Sequence, residues 1–455
     1  MEVSPLLSKK NTESRHWDEY WETMPKERLR AWQFKKIQQL IKYAYENVPF
    51  YRKLYDDAGI KPRDIVTWED FWYKVPMFDK PQLLQDQEAA EHKFALTGIL
   101  PMEHANYLQM TTGTTGKPIR ILRSHLDTMI GDDGTIQGLW WAGIRPEDSV
   151  YFCFNFGPFA AFWTAFYAFL RLGVTIMSGA GLSTEDRIRQ VIDLNPTIIA
   201  ATPTYLLRML DTAEKMGIDL SQSAIKYSYT GGETGAFVPG IRKRVMEGFG
   251  LKGWADAYGL SESYTAAYYC GFSPGVHVVE KSLYSYCIDP ETKEKLTGEG
   301  KIGEAIVTNL NQIMQPYIKY RTHDLVERYE YPDHGCGITW DFLKNSVLGR
   351  TDYMITLRGV NIYQSAIEGL LGKSDQLSMR YEMHLSKERG LDRMLVRVEA
   401  NKGVAEEHYG GLARGLNEVY KYNLKVDIPV EVLPPDTLPK YELKTRRVFD
   451  HRLKQ

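Results

Sequence analysis

From about residue 148 the chain repeats one pattern four times: a short apolar run rich in β-branched or aromatic residues, then a helical period. VYFCF precedes a helix expected over residues 159–170. VTIMS precedes one that opens at Ser183-Thr184-Glu185-Asp186, a composition suited to an N-terminal cap. TIIAAT is followed by YLLRMLDTAEKMG, and IKYSYT by FVPGIRKRVMEGFG. Strand–helix units in series bury their apolar faces as a parallel sheet covered by helices. Ligands of such sheets gather at the carboxyl ends of the strands.

The flanking regions read differently. Before residue 90 the chain is helical; Ile37, Leu40, Ile41, Ala44 and Val48 form one stripe, and Pro49 is expected to end that helix. Beyond about residue 265, HVVEKSLYSYCID, GEAIVTNL and YIKYRTHDLVERY alternate with Gly and Pro turns, the pattern of an antiparallel sheet or distorted barrel. The last hundred residues restart with RMLVRVEA, a helix to about Tyr422, and KVDIPVEVL. The expected fold class is therefore α/β. A large N-terminal domain (1–349) has parallel sheets in 91–265 after a helical lead-in (1–90), plus a β-rich subdomain (266–349). A small α+β domain occupies 350–455.

Composition removes several classes of function. Acids and bases nearly cancel, leaving a net charge of −2, so a nucleic acid polymer or an anionic membrane surface is not the expected partner. Four cysteines in 455 residues suit a reducing compartment. No basic stretch followed by an apolar run opens the sequence, and a cytoplasmic protein is expected. Residues 149–170 carry no charge over a membrane-spanning length, but Asn155 and Gly157-Pro158 interrupt them. A buried strand and helix are expected there instead.

The most informative short stretch is Thr111-Thr112-Gly113-Thr114-Thr115-Gly116-Lys117-Pro118. Glycines let a backbone approach an anion, and hydroxyls donate further hydrogen bonds. The stretch is not a Walker A loop, because Thr111 takes the first Gly position and Pro118 follows the lysine. It is followed, in order, by Tyr258-Gly259-Leu260-Ser261-Glu262, Tyr320-Arg321-Thr322-His323-Asp324, Gly349-Arg350-Thr351-Asp352 and Arg358-Gly359-Val360-Asn361-Ile362-Tyr363. This set resembles the adenylate-forming superfamily of acyl-CoA synthetases, adenylation domains and luciferases. Within it, the phenylacetate-CoA ligase family is the best match, including the N-terminal Val48-Pro49-Phe50-Tyr51-Arg52-Lys53-Leu54.

The resemblance implies roles. Thr111 to Lys117 would close on the β- and γ-phosphates of ATP. Thr230-Gly231-Gly232-Glu233 would line the acyl and adenine pockets, and Tyr258 would stack on adenine. Gly259 and Ser261 belong to the same nucleotide motif. Glu262 would hold Mg²⁺, Asp324 the ribose hydroxyls, and Arg350 ribose or phosphate oxygens. Asp352 matches the hinge about which the small domain rotates between half-reactions; Arg358, Gly359, Val360 and Asn361 would turn toward the thiol of coenzyme A. Lys444, in Leu438-Pro439-Lys440-Tyr441-Glu442-Leu443-Lys444, would contact the substrate carboxylate and α-phosphate. Leu443 stands where the family usually has glycine, and Tyr353, Gln364 and His323 also depart from its pattern.

Two features remain. Cys270, His277, His334 and Cys336 are a candidate structural Zn²⁺ set; in the resemblance, His334-Gly335-Cys336 replaces a Cys-x-Cys pair. The other reading is two buried cysteines and two surface histidines. Tyr151, Phe152, Phe154, Phe156, Phe159, Phe162, Trp163, Phe166, Tyr167 and Phe169 crowd ten aromatics into 19 residues. Phe156, Phe159 and Trp163, with Gly231 and Tyr264, are the expected acyl-pocket residues, and the remaining rings cover the sheet. The expected activity is an AMP-forming acid–CoA ligase acting through an acyl-adenylate on an aromatic or arylacetic acid. The alternatives are transfer to an amine or carrier-protein thiol, adenylylation of a deazaflavin, or a non-catalytic binding protein on the same fold. A homodimer is left open.

Overall fold

The computed structural model describes residues 13–90, 104–111, 118–158, 160–233, 235–272, 274–330, 334–351, 355–357, 360–362, 364–388, 391–439 and 447–452. The helical lead-in comprises α1 (Glu19–Glu22), α2 (Lys26–Asn47), α3 (Pro49–Asp57), α4 (Trp68–Tyr73) and α5 (Lys80–Ala89). The α2 stripe is buried as expected. Pro49 does more than stop α2: it is the first residue of α3, where its missing N–H costs nothing. A hairpin of β1 (Tyr107–Met110) and β2 (Arg120–Arg123) follows.

The strand–helix rhythm is observed as β3 (Ser149–Phe152), α7 (Ala160–Leu172), β4 (Thr175–Ser178), α8 (Thr184–Leu194), β5 (Ile198–Ala200), α9 (Pro203–Lys215), β6 (Tyr227–Gly231) and α10 (Pro239–Phe249). It is preceded by α6 (His125–Trp141). Ser183 caps α8 by accepting from the Asp186 N–H, and Asn195 closes it in the left-handed region. The uncharged stretch 149–170 resolves into β3 and α7; among the described residues no helix is long and apolar enough to cross a membrane.

The β-rich stretch does not form a sheet of its own. Strands β7 (Gly253–Leu260), β8 (Tyr264–Tyr269), β9 (Gly275–Val278), β10 (Leu283–Ile288), β11 (Lys301–Asn309), β12 (Tyr320–Tyr329) and β13 (Phe342–Arg350) extend the parallel strands into one eleven-stranded sheet. Its order is β10-β11-β12-β13-β9-β8-β7-β6-β5-β3-β4. From β4 to β7 the pairing is parallel, and beyond β7 it is antiparallel. Four strand steps separate β7 from β12, about 19 Å along a flat sheet at about 4.8 Å per step. Yet the Tyr258 hydroxyl on β7 lies 2.7 Å from Asp324 on β12. The antiparallel end therefore curls back on itself, around a core that includes Val278, Leu283, Tyr286, Ile306, Val326 and Leu343.

The remaining elements are a short hairpin, β14 (Ile355–Leu357) and β15 (Val360–Ile362), then α11 (Gln364–Leu371), β16 (Leu377–Glu388), β17 (Leu391–Ala400), α12 (Tyr409–Leu424), β18 (Val430–Leu433) and β19 (Val448–Asp450). They form a separate four-stranded sheet, β18-β17-β16-β19, with a core of its own around Ile367, Tyr381, Met383, Val396 and Tyr420.

Candidate active site

The residues expected at the nucleotide come from three strands. Tyr258 donates its hydroxyl to Asp324 Oδ2 at 2.7 Å, and Arg350 Nη1 donates to Asp324 Oδ1 at 2.9 Å. Burial and the Asp324 charge push the Tyr258 phenol well up, so it stays a donor at neutral pH. Arg350 opposes Asp324 in the β12–β13 register, so the ladder fixes this pair. The result is an aromatic face, a buried carboxylate and a guanidinium in one line, a set that suits a base, ribose hydroxyls and a phosphate.

Glu262 lies in the turn between β7 and β8, 7% exposed, and accepts the Tyr320 hydroxyl at 2.9 Å. One carboxylate completed by phosphate oxygens and water is a donor set Mg²⁺ commonly uses. Glu262 therefore fits that ion. Gly259 and Ser261 frame the same turn; a Cβ at Gly259 would lie 3.3 Å from the Tyr264 carbonyl.

At the end of β6, Gly231 pairs with Ala257 beside Tyr258, and Gly232 adopts φ +87, which favours glycine. The Glu233 carboxylate turns away from this edge and accepts from the Thr204 N–H (2.9 Å) and hydroxyl (2.5 Å) at the start of α9. Thr111 forms the neck of the hairpin: its N–H donates to the Ile119 carbonyl and its Oγ1 accepts from the Ile119 N–H. Thr112, Gly113, Thr114, Thr115, Gly116, Lys117, Phe159, Asp352, Arg358, Gly359 and Lys444 lie outside the described residues. Val360 and Asn361 lie on β15.

The aromatic cluster divides in two. Tyr151, Phe152, Phe154 and Phe169 are buried against the sheet. Phe156 and Trp163 are half-buried with ring centres 5.1 Å apart, and Trp163 meets Tyr107 of the hairpin at 5.9 Å. Tyr264, expected at the acyl pocket, is 7% exposed; its ring lies under the Arg123 guanidinium at 3.7 Å and against Gly131 of α6. It packs beside the Glu262 turn.

Across the whole length, the chain matches known proteins. The AMP-binding enzyme family model covers residues 45–318, and the AMP-binding enzyme C-terminal domain model covers 359–452. Phenylacetate-coenzyme A ligase of Thermus thermophilus is 30% identical over 95% of this chain and 98% of its own length. The Escherichia coli protein of that name is 29% identical over 95% and 97%. The chain belongs to the phenylacetate-CoA ligase family of AMP-binding enzymes.

Solved structures of a similar ligase in two states match this chain unequally. 2-Hydroxyisobutyryl-CoA ligase with its acyl-AMP in the postadenylation state superposes with a TM-score of 0.91, at 25% identity over 99% of this chain and 95% of that one. In its thioesterification state the same protein gives 0.73. The whole chain is thus more similar in arrangement to the first of these two structures than to the second. Ion pairs cross to the small domain: Arg380–Asp211 at 2.9 Å, Lys402–Glu214 at 3.5 Å and Lys215–Asp436 at 3.6 Å. They border a cleft of about 520 Å³ between α9, α10 and the small sheet.

The Cys/His set converges. The ligand atoms of Cys270, His277, His334 and Cys336 all lie within 4.8 Å of one another. The edges Cys270 Sγ–His334 Nε2, His277 Nε2–His334 Nε2 and Cys336 Sγ–His277 Nε2 are 3.5, 3.0 and 3.4 Å. A tetrahedral zinc site has edges of about 3.4–3.8 Å, so three of these need little adjustment. His277 Nδ1 faces the Trp340 carbonyl at 3.0 Å and must donate to it, which leaves the Nε2 lone pair pointing inward. Cys270, His277 and Cys336 are buried, against the reading of surface histidines for one of the pair. The residues fit zinc.

Sequence reasoning passed over Arg123 and Tyr320 as site residues. Their partners lie 138 and 58 residues away in the chain, and a one-dimensional pattern carries no sign of such pairs.

Proposed function

We propose that this AMP-forming acid–CoA ligase activates an aromatic or arylacetic acid. The observation that carries the reading is the Tyr258–Asp324–Arg350 line beside Glu262, on a chain aligned end to end with phenylacetate-CoA ligases. Carboxylate and ATP are both anions, so attack on the α-phosphate needs alignment and charge neutralisation more than proton transfer. Asp324 would hold the ribose, with Tyr258 along the adenine and Arg350 on ribose or phosphate oxygens. The loop from Thr111 to Lys117 would hold the departing pyrophosphate. Mg²⁺ on Glu262 and the phosphates would supply neutralising charge. Lys444 would bind the acid's carboxylate and the α-phosphate in the first half-reaction. The small domain, from about residue 350, then turns about Asp352 and brings Arg358 to Asn361 toward the thiol of coenzyme A.

Phe156 and Trp163 are the proposed acyl wall, with Phe159 between them in sequence and Gly231 at the adjoining strand end. Zn²⁺ on Cys270, His277, His334 and Cys336 is proposed as a structural cross-link between β8, β9 and the segment before β13. Metal analysis of protein purified without a His tag should return one zinc per chain; well under one removes it.

ATP–pyrophosphate exchange over a panel of acids, followed by AMP release with and without coenzyme A, tests the reaction. Exchange stimulated by aryl and arylacetic acids, with CoA-dependent AMP release, is expected. Exchange without CoA dependence would transfer the reading to an amine, carrier-protein or deazaflavin acceptor. Lys444→Ala should block adenylate formation and spare thioester formation from supplied acyl-adenylate.

A further inference from the structure

Glu262 is held from two sides by residues remote in sequence. On the backbone side, Arg123 Nη2 donates to the carbonyl oxygens of Ser261 (2.5 Å) and Glu262 (3.2 Å). On the carboxylate side, the Tyr320 hydroxyl donates to Glu262 Oε1 at 2.9 Å.

Arg123 is the unusual member. It is fully buried, and among the described residues no carboxylate pairs with it. Its Nη1 has no hydrogen-bond partner, its Nε faces Gln109 Oε1 at 3.4 Å, and its plane covers the Tyr264 ring at 3.7 Å. A buried cation without a counter-ion is expensive, and an apolar side chain would fill the space at lower cost. What an apolar residue cannot do is bind two successive main-chain carbonyls through one nitrogen of a rigid planar fork. Tyr264, on which the fork lies, adopts φ +63, and Gly131 must lack a side chain because a Cβ there would fall 2.7 Å from the ring. Three elements, β2, α6 and β8, are thus shaped around the grip on this turn. Arg123 also ends β2, the strand that leaves the Thr/Gly loop, so the grip links the loop's base to the turn.

We propose that Arg123 and Tyr320 are positioning residues that clamp Glu262 from its backbone and its carboxylate, fixing it toward the Mg²⁺ of MgATP. The inference rests on the reading of Glu262 as the metal carboxylate. Partners behind a metal ligand are commonly worth about 10–100-fold in metal affinity or activity.

The test uses Arg123→Lys, Tyr320→Phe, Glu262→Gln and the two doubles with Glu262→Gln, in the full chain. Pyrophosphate exchange is titrated with Mg²⁺, and amide hydrogen exchange over residues 261–264 is followed without ligand. Each clamp variant should raise the Mg²⁺ needed for half-maximal exchange by about tenfold or more. Each should also speed amide exchange in the turn while leaving thioester formation from supplied acyl-adenylate near the parent rate. Each double should match Glu262→Gln alone, because the clamp acts through that residue. Losses that multiply in the doubles, or an unchanged Mg²⁺ requirement in both clamp variants while Glu262→Gln moves it, overturn the clamp alone. An unchanged requirement in Glu262→Gln overturns the metal reading as well. Tyr320→Phe removes a single oxygen and carries the test if Arg123→Lys does not fold.

Discussion

The two ends of the eleven-stranded sheet are built differently. At the parallel end, β3 to β6 are three to five residues long and are held by helices through Phe152, Phe169, Ile188, Leu206 and Val245. At the antiparallel end the strands run to ten residues, and buried charges cross between them. Lys26, Arg30 and Arg328 surround Glu280 and Asp341, and Lys319 gives its ammonium to the carbonyls of Phe71, Trp72 and Val75. The comparison teaches where tolerance lies. Apolar packing accepts many side chains of similar volume, whereas a buried charge left without its partner has no substitute. The proposed nucleotide residues sit at the second end, and the proposed acyl wall at the first.

The largest effect should come from breaking the charged end. Asp341→Ala leaves three cations facing a lone Glu280 and should cost about 3–5 kcal/mol in denaturant unfolding. A loss no greater than that of Phe162→Leu would erase the contrast. Next is Asp324→Ala, which removes the acceptor shared by Tyr258 and Arg350. Hydrogen bonds to charged groups are worth about 1.5–3 kcal/mol each, so ATP half-saturation should rise about 10–100-fold, equally for every acid tested. A loss confined to some acids would place Asp324 at the acyl group.

A third prediction concerns the strand shared by both ends. Asp256 on β7 is fully buried, accepts the Thr230 hydroxyl at 2.5 Å, and is pushed up to about 7 by burial. Between its ordinary 3.8 and about 7, the folded chain keeps a proton that the unfolded chain has released. Stability should fall as pH rises through that window and stay lower above it. Asp256→Asn should flatten this slope and raise the melting temperature above pH 7, with little change near pH 4. A parallel shift at both pH values would show that Asp256 is not the group titrating. At the apolar end, Trp163→Leu should alter the ratio of rates between two acids by about tenfold, with ATP half-saturation unchanged. The smallest effect is expected at the domain border: Arg380→Ala removes partly exposed ion pairs worth about 0–1 kcal/mol. It should speed the CoA half-reaction relative to adenylation, an effect that fades at high salt.

The same contrast governs what was legible in the sequence. The strand–helix rhythm, the cap at Ser183 and the buried stripe of α2 are written within a few residues and could be read directly. So could the motif holding Tyr258 and Glu262, because its residues are adjacent. The curl of the antiparallel end was not legible as such, since the contact that reveals it joins residues 66 apart. Nor was the continuity of the sheet, because β9 pairs with β13 across the whole of β10, β11 and β12. Tyr264 was placed at the acyl pocket by its position after Glu262; its neighbours Arg123 and Gly131, from another part of the chain, were not legible there.

The Tyr258–Asp324 contact makes the antiparallel end a split ring with the proposed nucleotide residues at the split. On the proposed reading, a nucleotide reaching from one side to the other would act as a clasp on the strands between, β8, β9 and β13. Its binding energy would then add to the stability of those strands rather than to a loop.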